Sequence, residues 1–209
     1  MKVYLFRHGE TDWNKDGRLQ GQSDIPLNAF GRELAVKTAE ALEGTLFDRA
    51  FSSPLKRAEE TAQIILGNRD IPLATDDRLK EISFGIYEGE KSIIARKDPA
   101  HPLHDLFCRP ECYVPPEGAE SFQTVRERAW EFLQEKIMPL EGTCGNVLVV
   151  AHGAFSRCLL SIIGEVPLEK FWEIELPNCA ASILSVENGK VSIEEKSVVY
   201  YGEPVNGTL

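Results

Sequence analysis

The stretch Asn146-Val147-Leu148-Val149-Val150-Ala151-His152-Gly153 decides the fold of this chain. After Asn146 it runs apolar without a break to Ala151. A valine-rich run of this length reads as a strand buried on both faces. Such a strand needs helices above and below it, the α/β arrangement. A helix is expected directly behind it, from about residue 154 to residue 163. His152 and Gly153 then stand at the carboxyl end of a central strand, where open α/β sheets collect their ligands.

The same pattern recurs on either side of this stretch. Residues 2–6 (KVYLF) form a short buried strand that runs into Arg7-His8-Gly9. Residues 49–52 form another, followed by Ser53-Pro54. Serine as N-cap and proline at the first helical position predict a helix from there to about Leu66, with Ala58, Ala62, Ile65 and Leu66 as its apolar stripe. Asn28 predicts the cap of a helix reaching about Leu42, and residues 71–75 a weaker strand. Ser121 opens an amphipathic helix with Phe122, Val125, Ala129, Phe132, Leu133 and Ile137 on one face. Asn188-Gly189, between apolar stretches at 180–186 and 191–199, signals a hairpin. Residues 82–120 are proline-rich and irregular, the candidate insertion or lid. From Tyr200 onward an extended, weakly ordered tail is expected. The pattern predicts a three-layer α/β sandwich with an antiparallel hairpin at one edge.

The chain has 209 residues, 43% of them hydrophobic, and a net charge of −10. That length suits one domain, 1–209, able to bury a core without disulfides or a structural metal. The acidic balance argues against nucleic acid and anionic membranes as partners. It also repels phosphorylated metabolites, so any phosphate site must be built locally. Residues 2–6 are too short for a signal segment, and no run approaches the roughly 20 apolar residues of a membrane helix. Five scattered cysteines (Cys108, Cys112, Cys144, Cys158, Cys179) fit reduced thiols. The expectation is a cytoplasmic protein.

Three polar motifs fall just after predicted strands: Arg7-His8-Gly9, Ser53 to Arg57, and His152-Gly153. A lone histidine after a strand is commonly structural. Here Arg7 precedes His8 and Gly9 follows it, so the backbone can turn sharply beside a ligand. Neutral imidazole is a competent nucleophile for phosphorus, and nearby guanidinium groups keep it neutral. Arg57, in the first turn of its helix, opposes the helix dipole unless it shares an anion with the helix N-terminus. Its planar fork suits phosphate. His152 can donate a proton to a phosphate oxygen, and the amides after Gly153 offer a second anion site. Glu81, if it reaches the site, can serve as acid to the leaving oxygen and then as base for water. Arginines favour its carboxylate form, whereas burial or an approaching phosphate dianion favours its acid form. No zinc, calcium or P-loop motif competes, so neither metal nor cofactor is expected.

Taken together these blocks resemble the histidine phosphatase superfamily, also called the phosphoglycerate mutase-like family. The resemblance is carried by Arg7-His8-Gly9-Glu10-Thr11-Asp12-Trp13-Asn14, Gly17-Arg18-Leu19-Gln20-Gly21, Asp24-Ile25-Pro26-Leu27-Asn28 and Gly31. It continues in Ser52-Ser53-Pro54-Leu55-Lys56-Arg57-Ala58 with Thr61-Ala62, and in Glu81-Ile82-Ser83-Phe84-Gly85-Ile86-Tyr87-Glu88-Gly89. Pro116-Glu117-Gly118-Ala119-Glu120-Ser121 and Ala151-His152-Gly153 complete it. The resemblance implies a mixed, mostly parallel sheet between helices, with residues 82–120 capping the site. It implies His8 as phosphorylated nucleophile, with Arg7, Arg57 and His152 as the phosphate pocket. Asn14, Gln20, Gly21 and Gly153 complete that pocket, and Glu81 is the proton donor.

The leading expectation is a phosphatase acting on small phosphate monoesters such as α-ribazole phosphate, sugar phosphates or phosphoglycerates. A cofactor-dependent phosphoglycerate mutase is the first alternative. Mutases of this family carry an arginine directly after the acid glutamate and a later arginine pair. This chain has Ile82 at the first position and no Arg-Arg pair anywhere. Its cap offers only Lys91, Arg96, Lys97 and Arg109 for a polyanion. A catalytically silent phospho-ligand binding module is the other alternative.

Overall fold

The computed structural model describes residues 1–202. Its centre is one six-stranded sheet. The strands are β1 (Lys2–Arg7), β2 (Arg49–Ser52), β3 (Leu73–Thr75), β4 (Asn146–Ala151), β5 (Ala181–Glu187) and β6 (Lys190–Val198). Their spatial order is β3-β2-β4-β1-β5-β6. β4 pairs in parallel with both β1 and β2, and β2 in parallel with β3. β5 runs antiparallel to β1 and to β6, so the hairpin forms the far edge. Asn188 and Gly189 both take positive φ, 53° and 69°, as a tight two-residue turn requires.

The NVLVVA strand is buried on both faces from Val147 to Ala151. Its alternate side chains divide the interior into two layers. Val147, Val149 and Ala151 face one core, together with Val3 and Leu5. Leu148 and Val150 face the other, with Phe6. Two helices, α1 (Asp12–Lys15) and α2 (Ala29–Ala41), follow β1, and α3 (Lys56–Leu66) follows β2. The stripe of α3, Ala58, Ala62, Ile65 and Leu66, covers the Leu148 face. α6 (Phe122–Phe132) and α7 (Gly153–Ile163) cover the Val149 face. The three-layer α/β/α sandwich with a mixed, mostly parallel sheet is thus observed.

Four local readings differ in detail from expectation. α3 begins at Lys56 rather than at Ser53-Pro54, because Ser53 is still bound to β4, its amide donating to Val150 O. The first free amide of α3, on Lys56, is capped from a distant loop by Asp24 Oδ1 at 2.7 Å. The edge strand β3 is shorter than predicted. The helix opened by Ser121 ends in a π-turn at Leu133–Ile137, yet its whole predicted face is buried. Residues 82–120, read as irregular, contain two short helices, α4 (Ser92–Lys97) and α5 (His104–Cys108). Helices of six and five residues are too brief to show a 3.6-residue period. Ala95, Leu103, Leu106 and Phe107 join the Val149-side core. In the tail, residues 203–209 lie outside the described residues. Among the described residues all five cysteines are free, and no helix is long and apolar enough to cross a membrane.

Candidate active site

Three strand ends converge. His8 leaves β1 with its amide donating to Ala151 O of β4 at 3.0 Å. Its carbonyl accepts from Asn178 Nδ2 at 2.9 Å. The ring is 2.7 Å from Gly9 O through Nδ1. A carbonyl only accepts, so Nδ1 carries the proton. Nε2 therefore presents its lone pair, which accepts from Arg57 Nε at 3.3 Å. Burial first, then the Arg57 and Arg7 charges, hold His8 well below the usual histidine range. It is a neutral imidazole with its reactive nitrogen set against a cation.

Arg57 is fully buried and tightly aimed. Its two terminal nitrogens donate to Ser23 O at 2.8 Å and Gly21 O at 2.7 Å. Burial lowers it to about 10, so it stays charged at neutral pH. Arg7 is held by Leu176 O at 2.7 Å, while its Nε has no partner. His152 is wholly enclosed at the end of β4, its ring 5.1 Å from that of His8. Burial first, then Arg57 and His8, keep it well below the usual range, and neither ring nitrogen has a partner. Buried polar atoms without partners cost free energy unless a ligand supplies them. Three such atoms lie here, one on Arg7 and two on the His152 ring beside His8.

Glu81 reaches the site from the loop after β3. Its Oε1 accepts from Ile82 N and Phe155 N, at 3.0 and 2.9 Å, and its Oε2 from Ala154 N at 3.0 Å. This narrows one expectation: Glu81 occupies the Ala154 and Phe155 amides at the start of α7, so those two are not open to an anion. Oε1 is used twice and Oε2 once, which leaves a lone pair on Oε2 as the place for a proton.

These groups open into one shared cleft. Arg7, His8, Asn14, Gln20, Gly21, Arg57, Glu81 and Gly153 all line it, and the buried His152 ring packs 5.1 Å from that of His8. Thr11 Oγ1 lies 3.1 Å from Asn14 Oδ1 and 3.0 Å from Gln20 Oε1, so both amide oxygens face it and both NH2 ends face away. Gly21 has φ of 54°, and a Cβ there would fall 2.0 Å from Glu88 Oε1. The outer wall is Leu19, Phe84, Phe107 and Trp172, with Arg18 and Arg157. None of the four cap cations Lys91, Arg96, Lys97 and Arg109 lines the cleft. Arg96 lies over the Phe107 ring at 4.5 Å, and Arg109 pairs with Asp105.

Arg157 and Asn178 are the site residues that sequence reading missed. Arg157 had a visible signal, a lone arginine inside the apolar helix AFSRCLLSII. Asn178 had none, since only the fold brings it to the His8 carbonyl. Among the described residues no group of three or more His, Cys, Asp or Glu side chains could hold a metal ion.

Comparison with known proteins agrees with this geometry. The family model of the histidine phosphatase superfamily (branch 1) matches residues 3–198. "Probable phosphoglycerate mutase GpmB" of Salmonella arizonae is 32% identical over 182 residues, 87% of this chain and 83% of that protein. The structure of YhfR from Bacillus stearothermophilus superposes with a TM-score of 0.88 at 32% identity, covering 96% of this chain and 98% of that one. Alpha-ribazole phosphatase from Shigella flexneri superposes with a TM-score of 0.83 at 26% identity, covering 95% and 96%.

Proposed function

The chain belongs to the histidine phosphatase superfamily, and from that premise we propose that it hydrolyses small phosphate monoesters through a phosphorylated His8. The observation that carries this reading is the neutral His8 Nε2 accepting from Arg57, with the partnerless Arg7 Nε in the residues of the same cleft and the His152 ring 5.1 Å from that of His8. A phosphate oxygen would accept from Arg7 Nε–H and from the one ring N–H of a neutral His152.

In the first step the Nε2 lone pair attacks phosphorus and the bond to the leaving oxygen breaks. Gly9 O, already on Nδ1–H, steadies the positive ring that results. Arg57 passes its Nε–H from the ring to a phosphoryl oxygen, and Arg7 and His152 take the others. Glu81 Oε2 delivers a proton to the leaving oxygen. In the second step Glu81 takes a proton from water as it attacks phosphorus, and inorganic phosphate leaves His8 neutral again. Charge spread over three phosphoryl oxygens needs neutralising cations, which this site supplies from its own side chains. Residues 82–120 act as the cap, lending Phe84, Ser92 and Phe107 to the cleft.

The names of the curated relatives favour a second reading, a phosphoglycerate mutase. Ile82, where mutases carry an arginine, is fully buried in the core. Arg18 and Arg157 line the cleft singly rather than as a paired clamp. Arg18 donates to Gly89 O, pairs with Asp16 and is 40% exposed along its side chain. These features support hydrolysis. The deciding experiment supplies 3-phosphoglycerate with catalytic 2,3-bisphosphoglycerate and follows both products. Phosphate release is expected to dominate; 2-phosphoglycerate forming much faster would establish the mutase.

A further inference from the structure

Residues 80–83, which carry Glu81 to the cleft, belong to no helix or strand. Backbone carbonyls in such a segment must find partners outside the regular ladders. One side chain supplies them. Arg128 of α6 donates through Nη1 to Arg78 O at 2.7 Å and Lys80 O at 2.5 Å, and through Nη2 to Glu81 O at 3.1 Å. Its other two N–H groups go to Glu120, Nε to Oε1 at 3.1 Å and Nη2 to Oε2 at 3.0 Å. All five donors of the guanidinium are thereby used. The guanidinium also lies over the Phe155 ring at 5.7 Å, and Phe155 N donates to Glu81 Oε1 at 2.9 Å. Arg128 therefore touches both the main chain of Glu81 and a residue whose amide holds its carboxylate.

Glu120 ties the same cluster to the cap. Its Oε2 accepts from Ser83 N at 2.9 Å, and its amide donates to Ser83 O at 3.0 Å. Gln22 Nε2 bridges Glu81 O and Glu120 Oε2, at 3.2 Å from each. The chain thus enters the cap at Ser83 and leaves it at Glu120 beside one shared guanidinium. Neither Arg128 nor Glu120 lines the cleft. Their side chains are 14% and 20% exposed, and their opposite charges offset each other. The pair fixes the place of Glu81 without adding net charge beside it.

Resting on the phosphatase reading above, we infer that Arg128 is a positioning residue for proton transfer, whose grip on the Glu81 main chain keeps Oε2 within reach of the leaving oxygen. A carboxylic acid passes its proton only at hydrogen-bond distance, about 2.6–3.2 Å. A loop released from Arg128 loses that reach. His8, Arg7 and Arg57 stand on other elements, β1 and its end and α3, and keep theirs. The consequence is selective: chemistry that needs the proton suffers, and chemistry that does not is spared.

The test compares glycerol 3-phosphate, whose alkoxide must be protonated as it leaves, with p-nitrophenyl phosphate, whose phenolate needs little help. Arg128→Met should lower kcat on glycerol 3-phosphate about tenfold more than on p-nitrophenyl phosphate, with KM for each within about threefold of wild type. Arg128→Lys keeps the charge with fewer donors and should recover part of the loss. Combined with Glu81→Gln, Arg128→Met should add little further loss on glycerol 3-phosphate, because both act through one proton. Equal losses on the two substrates, or losses that add in full to those of Glu81→Gln, overturn the inference, however far the melting temperature falls. Should Arg128→Met fail to fold, Arg128→Lys and Glu120→Gln decide, by the same comparison of the two substrates. The outcomes are separable. Wild-type turnover of both substrates with equal losses in the variants removes the positioning role and keeps the phosphatase. A wild-type protein that releases phosphate from neither substrate removes the phosphatase reading and this inference with it.

Discussion

At the scale of the residue, the site is built from contrasts between neighbours of similar type. His8 and His152 are both held neutral, but only His8 has a ring nitrogen fixed as donor, by Gly9 O. That fixed proton is what aims its other nitrogen outward. His8→Ala should abolish turnover, whereas His152→Ala should still be phosphorylated, slowly. Quenching at neutral or higher pH and mapping by mass spectrometry checks this; label on serine, cysteine or aspartate would sink the mechanism. Glu81 divides its oxygens unequally, and Oε2 keeps the free lone pair. Glu81→Gln should therefore harm alkyl phosphates at least tenfold more than p-nitrophenyl phosphate, whose leaving group needs little protonation. Equal losses on the two would reduce Glu81 to a cap for α7.

At the scale of the element, loops from one part of the chain complete helices from another. Asp24 caps α3 and Glu81 caps α7. The Gly21–Ser23 carbonyls that aim Arg57 are themselves held by Glu88. Its carboxylate accepts from Gln22 N at 2.9 Å, Ser23 N at 2.8 Å, Ser23 Oγ and Phe84 N. It touches no reacting atom, so it is a positioning residue. Glu88→Ala should lower kcat/KM by about 10- to 100-fold, roughly 1.4–2.8 kcal/mol, with Glu88→Gln recovering part of the loss. If Glu88→Ala melts at lower temperature but keeps wild-type kcat/KM, the link to Arg57 is absent. The hairpin, the buried strands and the α6 face were legible because each is a local pattern. The start of α3 was misread because its cap lies 32 residues earlier in the chain.

At the scale of the whole molecule, the sheet order sets β1 beside β4 and β4 beside β2, so three strand ends open on one cleft. The histidines buried there link the site to global stability. Both lie well below the usual value, so near pH 6.5 the unfolded chain binds protons that the folded chain refuses. Their contribution is intact above about pH 6.5 and is lost as the pH falls, by up to about 1.4 kcal/mol per histidine per pH unit. Urea unfolding at pH 7.5 and 5.5 should show a loss of about 2–3 kcal/mol on this account. Saturating phosphate should shrink that loss, because its oxygens favour the charged rings. Equal stability at the two pH values would contradict the neutral pair.

The sequence by itself determined the α/β class, the two-faced burial of 146–151, the hairpin at Asn188-Gly189, and the identity of His8, Arg57, Glu81 and His152 as site candidates. Each is written in a short window, as a period, a turn pair or a motif after a strand, except Glu81, whose role came from the family resemblance. Only the tertiary structure decided that Glu81 fills the amides of α7, that Ile82 is buried in the core, and that Arg157 rather than the cap cations lines the cleft. Those outcomes depend on which side chains meet across the sheet ends. Such meetings are set by packing between segments tens of residues apart, and no local pattern encodes them.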